Sequence, residues 1–201
     1  MTARGSTRTA MLVSAAELLR ERGAAAVTVD AVLARSGAPR GSVYHHFPGG
    51  RSQILREALQ FAGDEITAKI DAAAGESATA LLHQIADMWR EALIASDYTA
   101  GCPVLAAAIG SGDDEQQLAA LASEIFTRWR EACMQAYLRE GFEPGEASAL
   151  GDTAIAAMEG AVVLCRSTRS LNPLNDVAAQ LEFLIRAREF VSQFSVAVAT
   201  S

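Results

Sequence analysis

The chain has little cysteine: Cys102, Cys133 and Cys165 are an odd number and lie far apart. Without the short spacings of a thiolate metal site they argue against a disulfide scaffold or a zinc centre, and they fit a reduced, cytoplasmic protein. Strand-like alternation is missing, and β-branched residues do not gather into runs. Half of the residues are hydrophobic, many of them Ala and Leu, so an all-α fold is expected. The N-terminus is polar and lacks a continuous apolar core, so no secretory leader is expected. No stretch reads as long and apolar enough to span a membrane, and neither an internal repeat nor a low-complexity segment stands out. Catalytic constellations are absent as well: no Ser/His/Asp or Cys/His spacing, no paired carboxylates, no phosphate-cradling glycine loop, Gly49-Gly50 being only a turn. His83, on an apolar-rich helix, reads as a core or surface residue rather than a base. His45 and His46 are neighbours on a helix and point about 100° apart, which does not suit a shared metal ion. No catalytic residue, metal or cofactor is expected.

What is present concentrates near the N-terminus. At 201 residues the chain holds one large domain or two small ones, long enough to bury a core. A net charge of −7 argues against a nucleic-acid partner only until its distribution is read. Residues 1–56 carry eight arginines against Glu17, Glu21 and Asp30, a local balance of +5, whereas residues 57–201 carry nine basic and twenty-one acidic side chains, a balance of −12. A basic head on an acidic body concentrates phosphate attraction on one part of the chain.

Within that head, residues 28–47 read as helix, tight turn, short helix and aromatic stop. Thr28 caps a helix with Val29, Val32 and Leu33 on one face and Asp30 in its first turn, where a negative charge suits the dipole. Ser36-Gly37-Ala38 makes the turn, Gly37 being free to take a left-handed backbone. Pro39 then opens a helix over residues 40–46, at the position where its missing N–H costs nothing. This is the layout of a helix-turn-helix whose second helix enters a DNA major groove. Arg40, in the first turn, reaches guanine O6/N7 or a phosphate. Gly41 lets the backbone approach closely, and Ser42 is short enough to touch a base. Tyr44 and His45 carry donors suited to phosphate oxygens, and Thr28 and Arg51, at two other helix starts, can serve the same backbone. Val43 and Phe47 are inward residues, while Arg20, Arg22 and Arg35 read as a solvated face.

The string GSVYHHFPGG at residues 41–50 resembles the recognition-helix signature of the TetR family of transcription regulators, and the resemblance covers residues 7–59. FPGGR together with GCPVLAAA at residues 101–108 is similar to the LmrA/YxaF-like branch. Pro39 and Arg40 stand where the family often has Ser and Lys, keeping the helix start and the positive charge; Ser52 stands where it often has Glu. The resemblance implies phosphate contacts at Thr28, Tyr44, His45 and Arg51, and a small aromatic or lipophilic inducer held in the helical body.

Helical periodicity predicts about nine helices, over residues 6–22, the pair above, then 50–73, 77–95, 101–109, 114–140, 144–166 and 173–194. The helix from residue 50 is long, and Gly63 in its middle is a candidate flex point, since glycine weakens a helix by about 1 kcal/mol relative to Ala. A DNA-binding head over residues 1–49, a ligand-binding and dimerisation body over residues 50–195 and a frayed tail over residues 196–201 follow. In the body Met88, Trp89, Phe126, Trp129 and Met158 supply large, adaptable apolar surface suited to a ligand cavity between helices. Cys102, at the start of a short helix, joins them as a candidate. The same side chains serve equally as ordinary core, and Cys102 as a small residue in a tight turn. Gly151 and Ala154 give one helix a small-residue side, and Leu181, Leu184 and Ile185 give another an apolar stripe. Two such helices per subunit make a four-helix dimer interface. The expectation is a ligand-responsive regulator: a cytoplasmic homodimer, without a membrane partner, released from a palindromic double-stranded DNA operator by a small-molecule inducer. The competing reading is an all-helical small-molecule carrier or enzyme, which would not need a basic helix-turn-helix.

Overall fold

The computed structural model describes the backbone of residues 3–110 and 115–199 and the side chains of residues 7–110 and 116–188. Among the described residues the regular elements are all helical: α1 (Ala3–Arg22), a 3₁₀ turn (Ala24–Ala26), α2 (Val29–Ser36), α3 (Ser42–His46), α4 (Gly50–Ala74), α5 (Ala78–Ala95), α6 (Pro103–Ala108), α7 (Glu115–Arg139), α8 (Pro144–Thr168) and α9 (Asn172–Ala199). The order matches the periodicity, and the ends differ by a few residues. α9 continues past residue 194, so residues 196–199 of the expected tail are helical; Thr200 and Ser201 lie outside the described residues.

The helices gather into two compact units. The first comprises Met1–Thr67 and Thr99–Thr127, the second Ala68–Tyr98 and Arg128–Ser201. The motif boundary expected at residue 49/50 is therefore not where compactness divides the chain, since α4 and α7 each begin in the first unit and end in the second.

The first unit is built on α1. Met11, Ala15 and Leu19 recur at helical spacing and are fully buried, joined by Val27, Val32, Val43, Phe47, Ile54, Leu55 and Leu59. Removing a side chain of the larger kinds from water stabilises by roughly 1.5–3 kcal/mol. Gly23 ends α1 with φ +79°, and the N–H of Gly101 donates to the Arg20 carbonyl at 3.0 Å, bringing the start of α6 against the end of α1. At Gly63, α4 and α7 meet closely: a Cβ there would stand 2.5 Å from Ile125 Cδ1.

In the second unit α5, α8 and α9 pack on one another. Leu81, Trp89 and Leu93, Trp129, Cys133 and Tyr137, Met158, Val162 and Cys165, and Leu174, Leu181 and Ile185 fill its core. Ser77 caps α5 by accepting from the Ala80 N–H at 3.0 Å, and Glu140 accepts from the Ala78 N–H at 3.0 Å. Asp97, Tyr98 and Arg169 hold left-handed backbones at φ 50°, 60° and 51°. They are clamped together, Arg169 donating to the Asp97 carboxylate at 2.6 Å and lying 5.8 Å from the centre of the Tyr98 ring. That guanidinium also holds the Asp97 carboxyl below its usual range.

α8 overturns the expectation that no stretch has membrane-spanning length and apolarity. By length and composition its 25 residues qualify, an 18-residue window within them reaching a mean hydropathy of 1.4. Only 39% of that window is buried, and the buried part includes a carboxylate, Glu159. The hydropathy is high because the helix is apolar on two sides. Ala147, Gly151, Ala154, Met158 and Cys165 face inward, while Val163 and Leu164 stand about half exposed.

Candidate nucleic-acid interface

α3 has five residues, too few to be stable alone. What fixes it is burial: Val43 and Phe47 are at 0% exposure, and Phe47 also closes the helix through its N–H to the Val43 carbonyl, 2.7 Å. Once those two point inward, Tyr44 is left 67% exposed, with His45 exposed beside it and Ser42 half-buried. The turn ahead of α3 uses Gly37 at φ +66° as the cap of α2, where a side chain would be strained. Gly41 is the cap of α3, and the Ser42 hydroxyl donates to the Pro39 carbonyl at 2.6 Å. The helix therefore starts two residues later than the proline suggested. Nothing lies within 4 Å of where a Gly41 Cβ would be, so that backbone faces open space.

Thr28 caps α2 as expected, its hydroxyl accepting from the Ala31 N–H at 3.1 Å. Arg40 forms an ion pair with Asp30, and both side chains are more than three-quarters exposed or at that level, 78% and 75%. This bond links the start of α2 to the residues ahead of α3, and Thr28, Arg40, Gly41, Tyr44 and His45 are exposed with Ser42 partly so, an outward polar region. Arg51 is placed differently. Its Nε donates to the Val27 carbonyl at 2.9 Å and its Nη2 to the Ala24 carbonyl at 2.8 Å. The side chain expected at a phosphate thus braces α4 to the loop between α1 and α2. The Ala24 carbonyl already accepts from the Val27 N–H at 3.1 Å, and a planar guanidinium fork reaches it and the Val27 carbonyl at once.

A side-chain relay that single residue types did not reveal links α4 and α1 to the end of α3. The Gly49 N–H donates to Gln53 Oε1 at 2.8 Å, Gln53 Nε2 donates to Glu57 Oε1 at 2.8 Å, and Glu57 Oε2 pairs with Arg8. The Arg8 guanidinium lies 5.2 Å from the Phe47 ring centre. The i, i+4 spacing of Gln53 and Glu57 is the sequence signal for it. Arg35, read as solvated, pairs with Glu21 at 2.8 Å and Glu17 at 3.7 Å, which holds its guanidinium above its ordinary range through the Glu21 hydrogen bond first.

The candidate ligand residues divide between the two units. Cys102 and Phe126 belong to the first; Met88, Trp89, Trp129 and Met158 belong to the second. Trp89, Trp129, Met158 and Cys102 are buried, Met88 and Phe126 partly so. The Cys102 sulfur caps α6, accepting from the Leu105 N–H at 3.4 Å. Glu159, one residue after Met158, is buried to 7% exposure; it is the only charge in residues 153–165, a signal that was readable. Of the candidate dimer residues, Gly151, Ala154, Leu181 and Ile185 are buried by this chain's own helices, and a Gly151 Cβ would sit 3.3 Å from the Arg130 carbonyl of α7. Their small or apolar character is used inside the subunit. Leu184 stays 44% exposed, with Phe183 at 64% beside it.

Two family descriptions match this chain. Residues 11–58 match "Bacterial regulatory proteins, tetR family" and residues 78–180 match "Transcriptional regulator LmrA/YxaF-like, C-terminal domain". A relative from Mycobacterium tuberculosis, named as an uncharacterized HTH-type transcriptional regulator, is 42% identical over 185 residues, covering 90% of this chain and 94% of its own. YxaF of Bacillus subtilis, likewise named as an uncharacterized HTH-type transcriptional regulator, is 27% identical over 191 residues, covering 94% of this chain and 100% of its own. Among solved structures, a TetR-family regulator from Cytophaga hutchinsonii superposes with a TM-score of 0.77 at 20% identity, covering 93% of this chain and 96% of that one.

Proposed function

Because the chain belongs to the TetR family of transcription regulators, and not to a family of enzymes, we propose that it is a ligand-responsive repressor that binds a palindromic operator as a homodimer in the cytoplasm. The observation that carries the DNA reading is the way α3 is mounted: Val43 and Phe47 are fully buried while Tyr44 is two-thirds exposed, and His45 and Arg40 stand exposed beside it. A helix anchored on one side and polar on the other fits a major groove. In this reading Arg40 and Ser42 meet base edges, Thr28, Tyr44 and His45 meet phosphates, and Gly41 allows close approach. Arg51 braces the head from within.

The proposed dimer face is the apolar surface that the subunit leaves uncovered. α8 and α9 pack together, and they expose Val163, Leu164, Phe183 and Leu184 at 50%, 52%, 64% and 44%. Large apolar side chains gathered on two helices favour a partner surface, and a palindrome requires a second copy. The inducer is a small lipophilic or aromatic molecule, and Trp89, Trp129 and Met158 are the side chains proposed to meet it. A ligand that lowers operator affinity must bind the DNA-free conformation better by the same factor.

The test is selection from a random duplex library with the full chain, followed by mobility-shift titration. A palindromic consensus is expected, with affinity falling as salt rises. Equal binding to every duplex at moderate salt overturns the reading.

A further inference from the structure

We propose that Asp30 is a specificity-determining residue of the DNA interface: by holding Arg40 it weakens binding to duplexes that lack the operator sequence and leaves operator readout intact. The inference rests on the DNA reading above.

The Thr28 hydroxyl accepts from the Ala31 N–H at the start of α2, and Asp30 stands in the first turn of that helix. Its carboxylate turns to Arg40, bonding one terminal nitrogen, Nη2, through Oδ1. Glu17 and Glu21, the other acidic residues of the first 56, both pair with Arg35. Asp30 is thus the acid among these three that engages an arginine of the outward polar region. A guanidinium has five N–H donors in a fixed fork, so the bond to Asp30 leaves others available.

The two kinds of DNA complex treat this pair differently. Sequence-independent binding depends on cations meeting phosphates and releasing counterions. A phosphate drawn to Arg40 competes with a carboxylate already in place and approaches that carboxylate as a like charge. Arg40 then contributes less to release, because the adjacent carboxylate offsets part of its charge. Operator readout is a different demand. Guanine O6 and N7 are acceptors on an uncharged base; the free donors of Arg40 can meet them while Asp30 keeps its hold and fixes the plane of the guanidinium. The ion pair therefore acts against the first complex and is compatible with the second.

The experiment compares the selected operator with a shuffled duplex of the same length and composition, for the wild-type chain, Asp30→Asn and Asp64→Asn. Asp64, on α4, accepts from Gln60 and supplies the same charge change without touching Arg40. Asp30→Ser is a second neutral variant that also suits a helix start, and melting curves verify that each variant folds. In about 0.1 M salt, Asp30→Asn should tighten binding to the shuffled duplex about threefold to tenfold and steepen its salt dependence by about one counterion per subunit, with operator affinity held within about twofold. Asp64→Asn should move both duplexes by the same factor. If Asp30→Asn or Asp30→Ser also moves both by one factor, Asp30 is only one more surface charge and the inference is overturned while the regulator reading stands. A wild-type chain that selects no sequence overturns both.

Discussion

Arg51 stands at the start of a helix beside a DNA-facing motif, the place where sequence points to a phosphate contact. Its two bonds to the Val27 and Ala24 carbonyls give it a different task. Arg51→Ala should destabilise the chain by about 1–3 kcal/mol, because two carbonyls lose a charged donor. Arg51→Lys should recover only part of that, since an ammonium cannot reach both with one fork. Urea denaturation checks both; unchanged stability with weakened DNA binding would return Arg51 to the phosphate. Cys133 makes a prediction in pH. Burial pushes its thiol up to about 12, and burial together with Cys133 also raises the Tyr137 hydroxyl. A group whose pKa is higher folded than unfolded holds its full stabilisation below the unfolded value, here 9.0. That stabilisation is lost as pH rises toward the folded value, at up to about 1.4 kcal/mol per pH unit. Cys133→Ala should flatten the fall in melting temperature between about pH 9 and 11, and the native thiol should resist maleimide at neutral pH, where it is protonated and covered.

Among the elements, α4 shows how one residue type carries two physical meanings. Gly63 in mid-helix reads as a weak point; the structure makes it a point of close approach, with the Ile125 side chain of α7 where a Cβ would stand. Thr67 donates to the Gly63 carbonyl of the same turn at 2.6 Å. Replacing glycine by alanine in a helix gains about 1 kcal/mol of propensity, but overpacking costs about 1–3 kcal/mol. Gly63→Ala should therefore be net destabilising. In the Ile125→Val background, which removes the Cδ1 atom at 2.5 Å, the same change should become neutral or stabilising. Thermal melts of the four chains decide it; equal effects in both backgrounds would mean the contact does not govern the site.

On the scale of the whole molecule, the proposed dimer rests on the apolar surface that α8 and α9 leave exposed. Leu164→Asp combined with Phe183→Asp places two charges on the exposed apolar sides of α8 and α9. It should weaken the dimer at least tenfold, about 1.4 kcal/mol, with helical content preserved. Light scattering across a dilution series reads this, and an unaltered dimer would move the interface elsewhere. Gly151→Arg should act differently, lowering the melting temperature of the subunit, because its side chain would meet the Arg130 carbonyl and Cys133 of α7.

The helices themselves were legible in the chain because they depend on local facts. Thr28 supplies a cap, Gly37 a left-handed turn, and apolar residues three and four apart supply one buried face. Val43 and Phe47 could be read as inward, and Tyr44 and His45 as outward, because a five-residue helix has only one side to anchor. Facts that join distant residues were not legible. Nothing local directs Arg51 to carbonyls 24 and 27 residues away, ties Arg8 to Glu57, or tells a small residue that packs against another subunit from one, such as Gly151, that packs within its own. Periodicity states that a face is apolar. Which neighbour covers that face is decided only when the helices pack, since burial is a property of pairs of surfaces and the chain specifies each surface singly.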